Sequence, residues 1–376
     1  MRRESRKDVV LITGGNGFLG QHLVRELEMR DGNNLTEIRI LDLVPYINKL
    51  DFINEVPVKS FVADICDKEA ARHAFRGATC VMHLAAFVDY SFPADADELH
   101  RVNLEGTQTV IDLCKEENVP ILVHCSTAEV TLRPRMGPFP MVVGLPEHRA
   151  DPPHYIDQLP PYAASKLRAE KLVLSENMSY LSNGKDRLRV TALRPTFLYG
   201  ELEPRFTNAA IKAASALKGH LIDMQGPGGP GCKMQFTYAG NAAWAFIRAK
   251  DSLQAEPITN PNLSACGLPV LVTDDTLVPH PFDLMKKILG PDVIKDSYYW
   301  LPLAASLPIA WAIEKVTTVV GGKLPVHPTA LVCIFGGVAY FNGLRAAICL
   351  NYAPPYSEKE ALQNTSKYFA HRTMTC

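Results

Sequence analysis

The first two hundred residues alternate short apolar runs with amphipathic segments. The runs are rich in Val, Ile and Leu, as expected of strands buried on both faces: DVVLITGG, EIRILDL, VKSFVADI, CVMHLAAF, PILVHCST and RLRVTALRPTFLYG. Helical patterns lie between them, for example over 95–117 and 163–178. This alternation predicts right-handed βαβ units and an α/β fold with a doubly wound parallel sheet of the Rossmann type.

The pattern changes after about residue 200. Pro and Gly cluster in GPGGPG and around 257–281, and one helical pattern, AGNAAWAFIRAK, interrupts them. We therefore expect residues 1–200 to form the Rossmann core, with 236–250 packing back onto it. Residues 201–376 then form a smaller C-terminal substrate-binding region built from insertions.

Composition narrows the class of protein. The chain has 376 residues and 39 Lys and Arg against 40 Asp and Glu, so the charge balance favours no nucleic-acid partner. Nine cysteines are scattered without C-x-x-C spacing, which predicts reduced thiols and no metal site. No apolar segment typical of a secretory signal follows the basic start, so we expect an intracellular protein.

The segment VVLITGGNGFLG places glycines between an apolar strand and a helix. Gly15, Gly17 and Gly20 fit G-x-G-x-x-G, and Gly14, Gly17 and Gly20 fit the wider G-x-x-G-x-x-G. Bare positions allow the sharp turn and the close approach of a pyrophosphate, which the amide groups of the helix N-terminus then bind. The loop therefore predicts a dinucleotide site.

Two acids at strand ends refine the choice of cofactor. Asp42 ends RILDL twenty-two residues after Gly20, where a carboxylate accepts hydrogen bonds from the adenosine ribose and repels a 2′-phosphate. No arginine immediately follows Asp42, so NAD is favoured over NADP. Asp64 ends the third strand, where it either reaches the adenine or caps the next helix.

PYAASK sets Tyr162 and Lys166 four residues apart, on one face of a predicted helix. A tyrosine with its ordinary pKa near 10 is a poor base at neutral pH, but a lysine ammonium and a positive nicotinamide favour the phenolate. Such a pair exchanges a proton with an alcohol while hydride moves to the cofactor. The spacing alone also fits an ordinary amphipathic helix, although only Tyr162 among thirteen tyrosines has a lysine four residues later.

Ser126 and Thr127 end the strand in VHCSTAEV, about thirty-five residues before Tyr162. Ligands in open α/β sheets bind outside the carboxyl ends of the strands, so a hydroxyl here lies at the site. A turn or cap is the alternative interpretation.

The ordered segments TGGNGFLG, HLAA, VNLEGT, CSTAEV, YAASK and LRPTFLYGE resemble an extended short-chain dehydrogenase/reductase. Within that superfamily the chain most resembles the 3β-hydroxysteroid dehydrogenase/Δ5-4 isomerase branch. The apolar YYWLPLAASLPIAWAIE after residue 297 adds to this likeness, and LNYAPPYSEKEAL resembles the closing motif of the superfamily.

The resemblance implies a role for each matching residue. Tyr162 is the general base, Lys166 activates it and holds the ribose, and Thr127 rather than Ser126 is the hydroxyl partner. Asn103 helps to hold a relay water, unless it only kinks its helix. The implied cofactor site contains the loop, the strand ends and the nicotinamide segment: Gly14, Gly17, Phe18, Leu19, Gly20, Asp42, Asp64, Ala85, Lys166 and Pro195.

The apolar segments 297–320 and 324–344 leave three possibilities open. They form walls for a hydrophobic substrate or core, they lie on a membrane surface, or they span a membrane. Location at the endoplasmic reticulum membrane or in the cytoplasm fits these alternatives. We also expect a homodimer.

We therefore expect an NAD-dependent enzyme that oxidises the 3β-hydroxyl of a steroid or sterol-like substrate, with Δ5-4 isomerisation as a further activity of the family. The alternatives are a sterol-4α-carboxylate 3-dehydrogenase, a nucleotide-sugar epimerase or dehydratase, and a cofactor-binding scaffold without turnover. Intact Tyr162 and Lys166 argue against the scaffold. The acid and base of the isomerisation stay unassigned, since Asp274 and Asp275 fit surface positions equally well.

Overall fold

The computed structural model has a parallel β-sheet at its centre. The described residues are 7–132, 141–145, 147, 156, 159–226, 229–230, 233–255, 263–274, 276–278, 281–295, 298–335 and 338–373. Seven strands within these ranges form the sheet: β1 (Asp8–Thr13), β2 (Leu35–Asp42), β3 (Val58–Val62), β4 (Cys80–His83), β5 (Ile121–Cys125), β6 (Arg189–Pro195) and β7 (Pro269–Val272). Their order is β7-β6-β5-β4-β1-β2-β3, and all neighbouring pairs are parallel. The predicted α/β fold with a doubly wound parallel sheet is confirmed.

The helices follow the strand–helix alternation in the first half and then continue through the second half. The described α-helices are α1 (Phe18–Asp31), α2 (Lys68–Phe75), α3 (Ala96–His100), α4 (Gly106–Glu116), α5 (Pro161–Ser175), α6 (Phe206–Ala216), α7 (Ala239–Gln254), α8 (Pro281–Leu289), α9 (Leu303–Val320), α10 (Pro328–Phe335), α11 (Leu344–Leu350) and α12 (Glu358–Thr373). A π-helical turn, Arg101–Glu105, joins α3 to α4. The helical pattern over 95–117 therefore corresponds to one helix with a widened turn in its middle.

Alternate residues of each strand face opposite sides of the sheet, and both sides are buried. Val10 and Ile12 belong to a core with residues of α1 and α7, whereas Leu11 belongs to a second core with residues of α4. Strands that are apolar at every position are the consequence of this two-sided burial.

The seventh strand, β7, lies in a segment where the apolar rhythm gave no strand prediction. Pro269–Val272 pairs with β6 and adds an edge to the sheet. Its four residues sit in surroundings rich in Pro and Gly, so the local pattern is too short to stand out.

The second half of the chain adds two small sheets beside the main one. Leu221–Gly226 pairs with Gly229–Pro230 and with Tyr298–Pro302. The other small sheet combines segments from both halves of the chain: Met141–Leu145, Phe197–Tyr199, Lys233–Tyr238, Leu277–Val278 and Val338–Phe341. Because this sheet draws on both halves, the division at residue 200 stays a prediction.

Within the described ranges, Cys66, Cys80, Cys114, Cys125 and Cys266 are free thiols. No described helix combines the length and the apolar character that crossing a membrane requires.

Candidate active site

A cavity of about 1250 Å³ opens at the carboxyl ends of the parallel strands. Loops that follow β1, β2, β4, β5 and β6 line it, which is where ligands bind in open α/β sheets. All the predicted site residues line this cavity except Asn103. We call its two parts the glycine-loop end (residues 14–20, 41–44 and 63–65) and the apolar end, whose lining is described below.

The glycine loop is packed so tightly that side chains are excluded from it. Gly14 has φ +72°, and a Cβ there would lie 2.7 Å from the amide nitrogen of Ala85. A Cβ on Gly20 would lie 2.5 Å from the Cα of Gly15 and 2.6 Å from the carbonyl oxygen of Gly14. Gly17 precedes the first residue of α1, so the helix N-terminus points its amide groups at the loop.

Asp42 lies at the end of β2 beside this loop. Its carboxylate accepts hydrogen bonds from the amides of Asn16, at 2.9 Å, and Leu43, at 2.8 Å. The loop and the acid are therefore fixed relative to each other, as the cofactor prediction requires.

Asp64 lines the glycine-loop end, and neighbouring residues of the protein donate hydrogen bonds to its carboxylate. It accepts hydrogen bonds from the amide of Cys66 and from Arg101, each at 2.9 Å. These contacts lower the pKa of the Asp64 carboxyl against the opposing effect of burial. The residue that caps α2 is Asp67, not Asp64. Of the two interpretations given by the sequence, the cap is wrong, and a contact with the adenine stays a prediction.

Tyr162 and Lys166 lie one turn apart at the start of α5, and both side chains are buried against the cavity. Burial is the largest effect on the Tyr162 hydroxyl and raises its pKa, and the charge of Glu129 raises it further while Arg205 opposes. Burial lowers the pKa of Lys166. Activation of the tyrosine by the lysine stays a prediction.

Thr127 combines the two roles that the sequence left open. Its hydroxyl oxygen accepts a hydrogen bond of 3.3 Å from the amide of Glu129 and caps the short 3₁₀ turn Ala128–Thr131. Thr127 also lines the cavity, and its hydroxyl proton remains available to a ligand. The hydroxyl of the neighbouring Ser126 is buried and bonded to no described residue.

Asn103 lies behind the cavity, in the π-helical turn. Its side-chain amide donates to the carbonyl of Phe87 and to the hydroxyl of Ser165, and its side-chain oxygen accepts from the amide of Phe87. Thr107 donates to its main-chain carbonyl. Asn103 thus braces the Phe87 loop against α5, and the side chain has no donor left for a water.

The apolar end of the cavity is lined by residues from the second half of the chain. Its only positively charged side chain among the described lining residues is Arg205, which donates to the carbonyl of Val88 and lies over the ring of Tyr90. The remaining wall is dominated by Phe197, Leu198, Phe206, Ala209, Ala213, Leu217, Leu221, Ile222, Met234, Phe236, Phe282, Val326 and Leu331.

Sequence reasoning missed a carboxylate and a tyrosine beside Tyr162. The hydroxyl of Tyr90 donates to Glu129 at 2.6 Å, and the rings of Tyr90 and Tyr162 meet edge to face at 5.2 Å. The available signal was the position of Glu129, two residues after Thr127 at the carboxyl end of a strand. Tyr90 has no such signal, because a long loop brings it to the site.

Asp274 does not belong to the site. It is buried away from the cavity lining, and its carboxylate accepts hydrogen bonds from the amides of Tyr238 and Thr276 and from the side chain of Asn241. These contacts join Lys233–Tyr238 and α7 to the end of β7. The surface position, one of the two interpretations that the sequence left open for Asp274, is wrong, and Asp275 lies outside the described residues.

Comparison with known proteins decides the family. Residues 11–303 match the 3-beta hydroxysteroid dehydrogenase/isomerase family. The chain belongs to that family. It is therefore an enzyme of the extended short-chain dehydrogenase/reductase type, as the resemblance of its motifs predicts.

Solved structures of other proteins have the same fold. The UDP-glucose 4-epimerase of Thermotoga maritima in complex with UDP-glucose is 17% identical to this chain. Its TM-score is 0.64, and the match covers 97% of this chain and 99% of the epimerase. The UDP-glucose 4-epimerase of Thermus thermophilus in complex with NAD is 22% identical, with a TM-score of 0.60 over 96% and 99%. Pal from Bacillus thuringiensis is 20% identical, with a TM-score of 0.65 over 97% and 99%. These similarities show the fold.

Proposed function

We propose that the protein uses NAD to oxidise the 3β-hydroxyl group of a steroid or sterol-like substrate to the ketone. The observation that carries this proposal is one continuous cavity with the glycine loop at one end, Tyr162 and Lys166 between, and an apolar wall at the other end. The family match over residues 11–303 supports the same reaction.

The glycine-loop end fits a dinucleotide. A Cβ at Gly14 or Gly20 would collide with the backbone of Ala85 or of Gly15, so the loop takes this shape only with glycine. The N-terminus of α1 would supply amide groups to a pyrophosphate bound at the loop. Asp42, held beside the loop by the amide of Asn16, would accept hydrogen bonds from the adenosine ribose hydroxyls, which favours NAD over NADP. A solved structure of the same fold, the Thermus thermophilus epimerase, is an NAD complex. When bound, NAD supplies the acceptor for the hydride.

The side chains of the protein handle the proton. Tyr162 takes the hydroxyl proton of the substrate, and Thr127 donates a hydrogen bond to the same oxygen. Lys166 binds the cofactor ribose and its charge stabilises the tyrosinate, which offsets the rise in pKa that burial causes. Phe18, Leu19, Ala85 and Pro195 shape the walls of the cofactor site.

The apolar end favours a steroid over the other substrates. A nucleotide sugar carries a second diphosphate, and Arg205 is the one cation that the described lining offers it at this end. A sterol 4α-carboxylate would bring a negative charge close to Glu129, and like charges at such range are unfavourable. A rigid hydrocarbon skeleton instead buries against the apolar wall.

The proposal is tested by a screen of the purified full-length protein. NAD and NADP are each offered with a 3β-hydroxy-Δ5 steroid, a sterol 4α-carboxylate and UDP-glucose, and formation of the reduced cofactor is followed by absorbance. We expect turnover of the steroid with NAD. Turnover with NADP alone would overturn the role of Asp42, and turnover of only UDP-glucose, detected by product analysis, would replace the proposal by an epimerase.

A further inference from the structure

Arg194 and Glu170 form an ion pair that is buried between α5 and the central sheet. Arg194 lies on β6, Glu170 lies on α5, and each side chain is 2% exposed. The guanidinium donates from Nε to one carboxylate oxygen at 2.7 Å and from Nη2 to the other. A bidentate partner of this kind fixes the carboxylate in position and keeps it ionised, whereas an unpaired carboxyl at this depth would take up a proton.

Further contacts hold Arg194 from its other side. Its Nη1 atom donates to the main-chain carbonyl of Glu147 at 2.8 Å. The side chain of Glu147 accepts a hydrogen bond from the amide of Leu271 on β7 and lies 3.5 Å from the guanidinium of Arg345 on α11. These contacts join α5 to β6, β7 and α11, so the charge of Glu170 has a fixed place in the interior.

That place is one helical turn after Lys166. Residues four apart on a helix share a face, with about 5–6 Å between their Cβ atoms. Lys166 is 2% exposed, and burial lowers the pKa of its ammonium group, whereas Cys125 and Glu170 raise it. Neither Glu170 nor Arg194 lines the cavity, so the pair reaches the site only through Lys166.

The other titratable groups around Lys166 bring no negative charge at neutral pH. Burial lowers the pKa of His83 on β4 and of His124 on β5, so both imidazoles are neutral. Burial raises the pKa of the Cys125 thiol at the end of β5 and of the Tyr162 phenol on α5, so both keep their protons. Among these described neighbours, Glu170 therefore supplies the anion.

We propose that Glu170, held in place by Arg194, is a positioning residue of the proton transfer that keeps Lys166 charged. This inference rests on the proposed function, which assigns Lys166 to the stabilisation of the tyrosinate. A buried lysine loses its proton unless an opposite charge lies nearby, and a neutral Lys166 would give the tyrosinate no support. The charge of Lys166 thus depends on two residues outside the cavity.

The experiment replaces both members of the pair by an apolar side chain, Glu170→Met with Arg194→Met. Removal of both charges leaves no unpaired buried ion, and replacements of this kind are generally tolerated by the fold. The charge of Lys166 is followed by NMR titration of the full-length protein with isotope-labelled lysine, and its signal is assigned by its loss in Lys166→Met. We expect Lys166 to titrate at least about one pH unit lower in the double variant than in wild type.

Oxidation of a 3β-hydroxy steroid with NAD provides the second readout. Below both titration midpoints of Lys166, the double variant and wild type should have similar rates. Between the midpoints the lysine is neutral in the variant and charged in wild type, so the ratio of the two rates should fall by about tenfold for each pH unit. A role in packing alone would lower the rate equally at every pH.

The matched control is the ion pair at the other end of α5, where Lys115 and Glu176 lie 2.9 Å apart. Glu176 follows Lys166 by ten residues, about 15 Å along the helix, and charges at that distance are largely screened. Lys115→Met with Glu176→Met should therefore leave the Lys166 titration and the pH–rate profile unchanged. Glu170→Gln is the second test variant, and it should move the Lys166 titration in the same direction as the double variant.

The outcomes separate this inference from the proposed function. If Lys166 titrates in the double variant and in Glu170→Gln at the same pH as in wild type, the inference is overturned, even where the rate has dropped. A wild-type protein that does not oxidise the steroid would contradict the proposed function. The NMR titration needs no substrate, so it would still decide whether Glu170 keeps Lys166 charged.

Discussion

The predicted proton transfer depends on two single residues, Tyr162 and Lys166. A buried lysine carries a desolvation cost, which the structure expresses as a lowered pKa. A buried tyrosine has the opposite problem, since burial raises its pKa and leaves the phenol protonated. We propose that the two costs cancel in part when the lysine is charged and the tyrosine ionised, and we therefore expect activity to depend on both residues.

We expect Lys166→Met to lower oxidation at neutral pH by about 10²-fold or more. Without the ammonium the tyrosinate is less stable, so the pKa of Tyr162 rises and activity recovers as the pH is raised. Loss of a charged hydrogen bond to the ribose should also weaken NAD binding by about tenfold. The pH–rate profile and a fluorescence titration with NAD measure the two effects.

Lys171→Met on the same helix is the matched control, because Lys171 is only half-buried and does not line the cavity. Equal losses in both variants would show that the effect comes from α5 and not from the chemistry of Lys166.

At the scale of residues, the sequence predicts those site residues whose proposed roles depend on spacing within one element. The glycines, Asp42 and the Tyr162–Lys166 pair are recognised because their proposed roles require a fixed spacing along one strand, loop or helix. Glu129 was not recognised, because its partner Tyr90 reaches the site on a long loop that no local spacing reveals. Asp274 could not be assigned a position from the sequence, because its hydrogen-bond partners lie far along the chain, on Lys233–Tyr238 and α7.

The element that most constrains the cofactor site is the junction of β1 with α1. The chain turns from strand to helix in the four residues between Thr13 and Phe18, so the first turn of α1 packs directly against the loop. Gly20 lies inside the first turn of α1 and touches the backbone of Gly14 and Gly15. The junction therefore couples helix packing to the shape of the phosphate site.

Gly20→Ala should destabilise the protein by about 1–3 kcal/mol and abolish NAD binding, since its Cβ overlaps main-chain atoms that have nowhere to move. Gly32→Ala at the other end of the same helix is the control. Its Cβ meets nothing nearer than the Val56 side chain at 3.5 Å, so we expect a change within about 0.5 kcal/mol. Chemical denaturation and NAD titration of both variants check this, and normal NAD binding by Gly20→Ala would contradict the packing argument.

Elements were predictable where the apolar period was long. The strands β1 and β5 fall within the predicted segments, and β2, α5 and α7 overlap theirs. The edge strand β7 and the π-helical turn were not predicted. A strand of four residues carries too little pattern, and a widened turn arises from the contacts of Asn103 across space.

At the scale of the molecule, α9 and α10 pack against each other, and this part of the chain contributes both exposed apolar side chains and residues that line the cavity. Apolar side chains of α9 face outward, with Trp311 59% and Val319 85% exposed. The segment after α9 pairs with the loop of Tyr90 through Phe92 and Leu324, and Val326 and Leu331 line the cavity. We propose that this face lies on a membrane surface, from which a hydrophobic substrate reaches the cavity.

Replacement of Trp311, Val316 and Val319 by serine should reduce flotation with lipid vesicles by about tenfold or more, because three apolar side chains no longer bury in the interface. Ile53→Ser should leave flotation unchanged, because Ile53 is exposed on the surface of the Rossmann core and does not belong to α9. Release of the wild type by salt alone would contradict the insertion of apolar side chains.

The sequence predicted the sheet and a substrate-binding region in residues 201–376, but not which elements form the apolar wall of the cavity. The wall of the apolar end is assembled from α6, α8, α10 and two small sheets, which are short and irregular in pattern. Their partners lie far away along the chain, so no local period reveals the cavity. The homodimer and the location at the endoplasmic reticulum membrane or in the cytoplasm stay predictions.

The most direct test of the account compares wild type, Tyr162→Phe and Tyr180→Phe in the oxidation of a 3β-hydroxy-Δ5 steroid with NAD. Tyr180 is an exposed tyrosine outside the cavity and serves as the control. We predict that wild type and Tyr180→Phe form the reduced cofactor, and that Tyr162→Phe binds NAD but loses at least about 10²-fold in rate. A Tyr162→Phe variant that oxidises the steroid as fast as wild type would contradict the account.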